Sequence, residues 1–289
     1  MRMAAWRSVD LTFRSRQWVD RLVRGFCGAA TVLALIPLVL VMYWVAEKGL
    51  SSLSWAFFTE MPAPVGETGG GMKHALMGTL MVVGIACAIG IPIGVLAGIY
   101  LSEFGDNRFG RVVRFSADVM AGVPSIAVGI FVYTLIVLRQ RHFSALAGGI
   151  ALAILMLPTV MRTTEEMLRL VPSALREAAL ALGAPRRRAI VRVVLRTAAS
   201  GIVTGVMLAI ARVAGETAPL LFTALGNSYY STDIDKPIAT MPVQIYTYAI
   251  MPYDNLNQQA WAAALVLVFL VTIFSLTARM VVARRGGMR

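Results

Sequence analysis

The sequence predicts an all-α, polytopic membrane protein with six transmembrane helices and both termini in the cytoplasm. Three observations predict it: the composition, the spacing of charge-poor runs, and the side on which the basic residues fall. Of 289 residues, 58% are hydrophobic and 15% are charged; a soluble domain is nearer about 45–50% apolar and about 25% charged. Mean hydropathy is +0.72. A compact soluble fold of this length has too few charges to cover that much apolar surface. The composition excludes an ordinary cytosolic enzyme, a disordered chain and a collagen-like fibre.

A helix crosses the hydrocarbon layer with roughly 20 apolar residues at about 1.5 Å each. Runs of that kind occur at 25–46, 75–102, 119–138, 143–161, 197–226 and 255–278. The fifth is interrupted only by Arg212 and Glu216. This divides the chain into a cytoplasmic N-terminal segment 1–24, a single transmembrane domain 25–285 and a tail 286–289. With the N-terminus inside, the inner segments carry 21 Lys/Arg and the outer segments 5. That is the positive-inside pattern. It assigns most of the +12 net charge to topology. A nucleic-acid role would need a basic face interleaved with aromatic residues, and outside the arginine-rich loops the sequence offers none.

The first run follows Arg14, Arg16, Arg21 and Arg24 and spans 22 residues. It exceeds the about 7–15 of a cleavable signal core, so it reads as a retained helix. Cys27 and Cys87 both fall in spans, with no metal or disulfide spacing. The second run contains Gly90, Gly94 and Gly98, and the fifth contains Gly201 and Gly205. Small residues four apart predict close helix packing. Pro92, Pro124 and Pro158 predict kinks or helix ends. The 237–253 stretch is uncharged but holds Pro237, Pro242 and Pro252. It reads as short outer helices or a re-entrant segment. The glycine-rich 66–71 segment lacks the Gly-Lys-Ser/Thr of a P-loop and reads as a turn.

The 162–196 segment is the one sizeable inner loop. Ser173 is the expected N-cap of a short helix, Gly183 its C′ residue, and Pro185 closes the element. Leu175, Ala178, Ala179 and Leu182 then share one face. Two burial partners fit that stripe: the protein's own helix ends, or a groove on another protein. Glu177-Ala178-Ala179-x-x-x-Gly183, followed after nine residues by Val193-x-Leu195, resembles the EAA loop of ABC-importer permeases. Arg196 stands where that pattern usually has proline. The resemblance implies a type I ABC importer permease fold. It implies that Glu177, Ala178, Ala179, Leu182 and Gly183 dock on a cytoplasmic ATPase and couple it to the spans. Arg186, Arg187 and Arg188 then contact either anionic headgroups, the favoured reading, or that ATPase.

Arg212 and Glu216 lie four apart inside the fifth span, so on one helix they pair. An intramembrane charge costs roughly 2.5–3.5 kcal/mol on insertion scales and usually faces a bundle interior or a water-filled path. Measured from Thr197, Arg212 sits about 22 Å up the helix, past the midplane, and Pro219 is expected to break the helix just beyond. One reading is a buried pair that fixes helix register. The favoured reading is an anion pathway, because a guanidinium stays charged and binds oxyanions bidentately. Glu216 would weaken the site enough to let the anion leave.

The run from Gly215 to Leu225, GETAPLLFTAL, is similar to the PstA-type permeases of bacterial phosphate ABC importers. So are Ala97–Glu103, Arg162–Glu165 and Leu175–Ala179. That family resemblance implies a multi-pass protein of the bacterial inner (plasma) membrane carrying inorganic phosphate. It implies a heterodimer with a PstC-type permease, two copies of a PstB-type ATPase and a PstS-type phosphate-binding protein. It also implies that no cofactor binds this chain directly, that ATP and magnesium belong to the ATPase, and that the permease is not an enzyme. The implied translocation residues are Arg212, Glu216, Thr217 and Arg162, although a positive-inside anchor also explains Arg162. The rivals are a permease for sulfate or molybdate, an ion-coupled secondary transporter, which commonly shows inverted repeats, and a membrane-embedded enzyme. His74 and His142, the only histidines, have no catalytic constellation beside them.

Overall fold

The computed structural model describes residues 2–64, 67 and 69–286, with side chains from 16 to 280. The described residues form helices, joined by turns and by one isolated antiparallel bridge between Pro62 and Gly70. The end bearing the arginine-rich 162–196 segment is called inner, following the charge distribution.

Helix α1 (Arg2–Ser52) runs outward and includes the predicted N-terminal segment, so no break separates residue 24 from the span. Most of its described apolar side chains, Phe26 and Leu33 among them, are exposed, as lipid-facing residues are, while Val45 near its outer end is buried. A short α2 (Trp55–Thr59) leads to α3 (Lys73–Glu103), which returns inward. The glycine-rich turn between them is anchored by the last long helix. Asn255 Nδ2 donates to the Glu67 carbonyl at 2.6 Å, and Gln259 Nε2 to that of Gly69 at 2.7 Å. Gly69 and Gly70 have the positive φ of turn glycines, 101° and 78°; Gly66 and Thr68 lie outside the described residues.

The third predicted span is not one straight helix. Helix α4 (Arg108–Gly122) and helix α5 (Ser125–Gln140) meet at a 104° bend. Pro124 supplies no N–H and pushes Val123 out of the α region, to φ −71 and ψ 131. Helix α5 then contains a π turn at Tyr133–Val137. Pro92 and Pro158 behave differently, because α3 and α6 continue through them.

Helix α6 (Ala145–Arg169) is the axis of the bundle and is mostly buried. Ser144 caps it, accepting from the Ala147 N–H at 3.1 Å. Against α6, the glycines of α3 act as seats. A Cβ on Gly94 would stand 2.8 Å from Val160 Cβ, and one on Gly98 2.6 Å from Thr164 Cβ. Across α6, Gly201 and Gly205 of α8 meet Met167 and Thr163 in the same way. With no hydrophobic drive between helices inside lipid, such close approach is what holds them.

The inner segment folds as α7 (Ser173–Ala181), and α8 spans Arg186–Ala214. The predicted fifth span, 197–226, is therefore misplaced at both ends. The helix starts eleven residues earlier, because its arginine-rich first turns stand beyond the apolar layer. It stops at Ala214, and a separate α9 (Ala218–Thr223) follows. The 237–253 stretch is short-helical as expected, with α10 at Met241–Ala249. Helix α11 (Asp254–Gly286) completes six crossings, if the bent α4–α5 pair counts as one. The predicted tail lies outside the described residues beyond Gly286.

Candidate functional site

Arg212 occupies the last turn of α8, where a cation complements the helix dipole. The helix closes with Gly215 N–H donating to the Arg212 carbonyl and Glu216 N–H to that of Val213, both at 3.2 Å. Glu216 is thus beyond the helix, and the expected intrahelical pair forms across its end instead. Arg212 Nε lies 4.0 Å from Glu216 Oε1, with the guanidinium side chain 54% exposed and the carboxylate 19%. That is a long, loose pair, and most of the guanidinium's donors are unclaimed.

The break falls at Gly215–Thr217, beginning between the two charges, rather than at Pro219 beyond them. Pro219 is the second residue of α9, where its missing N–H costs nothing. Helix α9 is seated on α5: a Cβ at Gly129 would lie 2.6 Å from Pro219 Cα. Thr217 bridges the two helices, its carbonyl accepting from Leu220 and Leu221 at 3.1 and 3.2 Å. The chain then turns at Leu225 with φ 61. Just outward lies a cavity of 670 Å³ whose walls include Asn227, Tyr229, Gln244, Thr247 and Tyr248. Among the described residues no charged side chain lines it. In the exposed outer loop, the Asp235 N–H and the neighbouring Lys236 hold the Asp233 carboxyl below the usual carboxylate range.

Arg162, on α6, is held in the opposite way. It reaches Asp118 of α4 with two nitrogens, Nε at 3.0 Å, and its Nη1 lies 3.6 Å from Glu165 Oε2. Glu165 is 3% exposed and also receives Arg114 at 2.7 Å and Arg169 at 2.9 Å. Arg114 fills its fork by donating to the carbonyls of Leu101 and Gly105. Two carboxylates thus occupy the guanidinium that was expected beside the substrate, and they clamp the bent α4 to α6. Gly205 of α8 abuts Thr163, so Arg212 lies seven residues, about 10 Å, outward of Arg162. The structure pairs Arg212 with Glu216, places Thr217 next in the chain at the start of α9, and leaves Arg162 at a separate level.

The inner helix α7 ends in a Schellman motif. Ala184 N–H donates to Ala179 O at 3.1 Å and Gly183 N–H to Leu180 O at 2.9 Å, with Gly183 at φ +79. Pro172, not Ser173, is its N-cap, and no side chain caps it; Ser173 is already helical because the rigid Pro172 sets the entry. No residue of α7 is buried. Glu177, Ala178 and Leu182 are exposed, Leu182 at 89%. Its apolar stripe is not covered by the protein's own helix ends. Arg186 has a partner that neither expected reading included. It stacks on Phe104 at 4.6 Å and donates to the Glu103 carbonyl at 2.8 Å.

Sequence reasoning missed Arg114, Asp118 and Glu165. A signal was present for Glu165 alone: Arg162, Glu165 and Arg169 are spaced i, i+3 and i+7, as pairing residues on a helix are.

Residues 90–287 match the family model described as binding-protein-dependent transport system inner membrane component. The chain is 44% identical over 271 residues to the phosphate transport system permease protein PstA of Yersinia pestis, covering 93% of this chain and 92% of that one. It is 39% identical to the probable phosphate transport system permease protein PstA of Methanocaldococcus jannaschii, over 88% and 91% of the two chains. Among solved structures, the inward-facing MetNI methionine ABC transporter matches with a TM-score of 0.57 at 18% identity, over 73% of this chain and 92% of that one. The last likeness bears on the fold, which is that of a type I ABC importer permease. With relatives of this closeness along nearly its whole length, and a family match across all but its first spans, the chain belongs to the inner membrane components of binding-protein-dependent transport systems.

Proposed function

We propose that this chain is the permease subunit that forms half of the path for inorganic phosphate in an ATP-driven importer of the bacterial inner membrane. The observation that carries the reading is Arg212: a half-exposed guanidinium inside a span, at a helix end, with one carboxylate 4.0 Å away. A fork of donors held this loosely can receive an oxyanion and release it. The relatives' names supply phosphate as that oxyanion. A PstC-type permease completes the path, a PstS-type protein delivers phosphate from outside, and two PstB-type ATPases work below. The exposed stripe of α7 supports ATPase docking through Glu177, Ala178, Ala179, Leu182 and Gly183. ATP and magnesium stay on the ATPase, and this chain contributes no catalytic group.

The test is phosphate uptake by the complete complex in proteoliposomes. Arg212→Gln is expected to cut uptake about 100-fold, the scale of one lost charged hydrogen bond, with assembly intact. Normal uptake by the variant would refute the path. Sulfate or molybdate carried in preference to phosphate would refute the substrate. Glu177→Lys is expected to release the ATPase, and the purified chain alone to hydrolyse no ATP.

A further inference from the structure

We infer that Glu103 is the positioning residue through which α7 drives the membrane spans, joined to it by Arg176. The inference rests on the reading of α7 as the ATPase-docking helix. It goes further by assigning the route from that helix into the bundle.

Helix α7 presents a mechanical problem. None of its residues is buried, so packing does not hold it in place. A pushed helix that is not gripped would swing on its flanking turns. One of its side chains does grip. Arg176 donates from Nη1 to the Val171 carbonyl at 2.6 Å and from Nη2 to that of Leu168 at 2.8 Å. Its Nε and Nη2 both reach Glu103 Oε1, at 3.2 and 3.0 Å. The Glu103 carboxylate is 7% exposed and the Arg176 side chain 24%. This is a charge-assisted fork sheltered from water, unlike an exposed surface pair.

Glu103 is the last residue of α3. A carboxylate there opposes the helix dipole and is disfavoured unless cations surround it. Arg176 supplies one, and Arg186, stacked on Phe104 and bonded to the Glu103 carbonyl, holds the same helix end from beyond α7. The end of α3 is therefore held on both sides of the docking helix. Helix α3 in turn lies along α6 through Gly94 and Gly98. At its outer end, Thr79 Oγ1 accepts from the Met241 N–H at 2.8 Å, fixing the start of α10. A displacement of α7 thus enters α3 at Glu103 and travels to the outer loop, beside the route that the chain itself provides into α8.

The test is the number of phosphates taken up per ATP hydrolysed by the complete complex in proteoliposomes. Glu103→Gln is expected to lower that ratio about tenfold, the lower end of the range for a charged hydrogen bond, with ATPase still bound and hydrolysing. Arg176→Gln is expected to do the same, and the double variant to be no worse than either single, because the two act as one unit. Arg176→Lys, which keeps the charge but not the fork, is expected to fall between. An unchanged ratio in Glu103→Gln overturns the inference. So does a parallel loss of hydrolysis and uptake, or a double variant with additive losses. If Glu103→Gln does not assemble, Arg176→Lys carries the test, and an unchanged ratio there overturns it. Glu177→Lys separates the two readings. ATPase retained by that variant refutes docking at α7; ATPase released by it, with an unchanged ratio in Glu103→Gln, refutes only the Glu103 route.

Discussion

Arg162 and Arg212 are both arginines on spanning helices, and they are bound in opposite ways. Arg162 shares two carboxylates, Asp118 and Glu165, and its side chain is 32% exposed. Arg212 has one carboxylate at the edge of ion-pair distance and is 54% exposed. The first guanidinium is bonded through Nε and Nη2 to Asp118, faces Glu165 with Nη1, and ties α4 to α6. The second keeps most of its donors free at the point where α8 ends. A passing anion competes with little at Arg212 and with a formed network at Arg162. On the proposed reading, charge alone does not make a transport residue, and the number of carboxylates already on the cation separates Arg212 from Arg162.

Substitutions can break or sharpen that contrast. The largest effect is expected at Arg212→Gln, about 100-fold on phosphate uptake, with the thermal unfolding midpoint of the purified complex unchanged. Next comes Glu165→Gln. It removes the buried anion from beneath three arginines, and breaking a buried pair costs about 3–5 kcal/mol, so a clear drop in unfolding midpoint is expected in detergent. Arg162→Gln is expected to lower uptake less than about tenfold and mainly to destabilise, since Arg114 and Arg169 remain on Glu165. An uptake loss at Arg162→Gln equal to that at Arg212→Gln would erase the distinction. The smallest effect is expected at Asp118→Asn, within about twofold on uptake, because an exposed partner contributes roughly 0–1 kcal/mol.

Much of this was legible in the sequence because hydrocarbon imposes simple rules. The charge-poor runs fall on five long apolar helices and on the bent α4–α5 pair, and Gly94, Gly98 and Gly205 announce the helix contacts that they form. Arg212 stands out as a charge in an apolar run, and the Glu177–Gly183 segment as a short capped helix. The errors share a cause. A search for uncharged runs sees only the part of a helix inside the apolar layer. It missed the first eleven residues of α8 and the first turns of α4, which are charged and helical. Pro124 announced the bend in the third span, but the break expected at Pro219 falls earlier, at Gly215–Thr217. The pairs Arg114–Glu165 and Glu103–Arg176 join residues 51 and 73 positions apart. No spacing rule reaches that far, and only the fold brings them together.

The length of α3 has a consequence for the scale of movement. Its 31 residues make a strut of about 46 Å. Seated on α6 by glycines that leave no slack, it can rock but hardly bend. A tilt of about 5° about its inner end would carry the outer end of so long a rod by about 4 Å. That is more than the diameter of a water molecule, and on the order of the radius change that opens or closes a path for a small ion. A modest rotation at the cytoplasmic face is, through such a lever, enough to change what passes on the other side of the membrane.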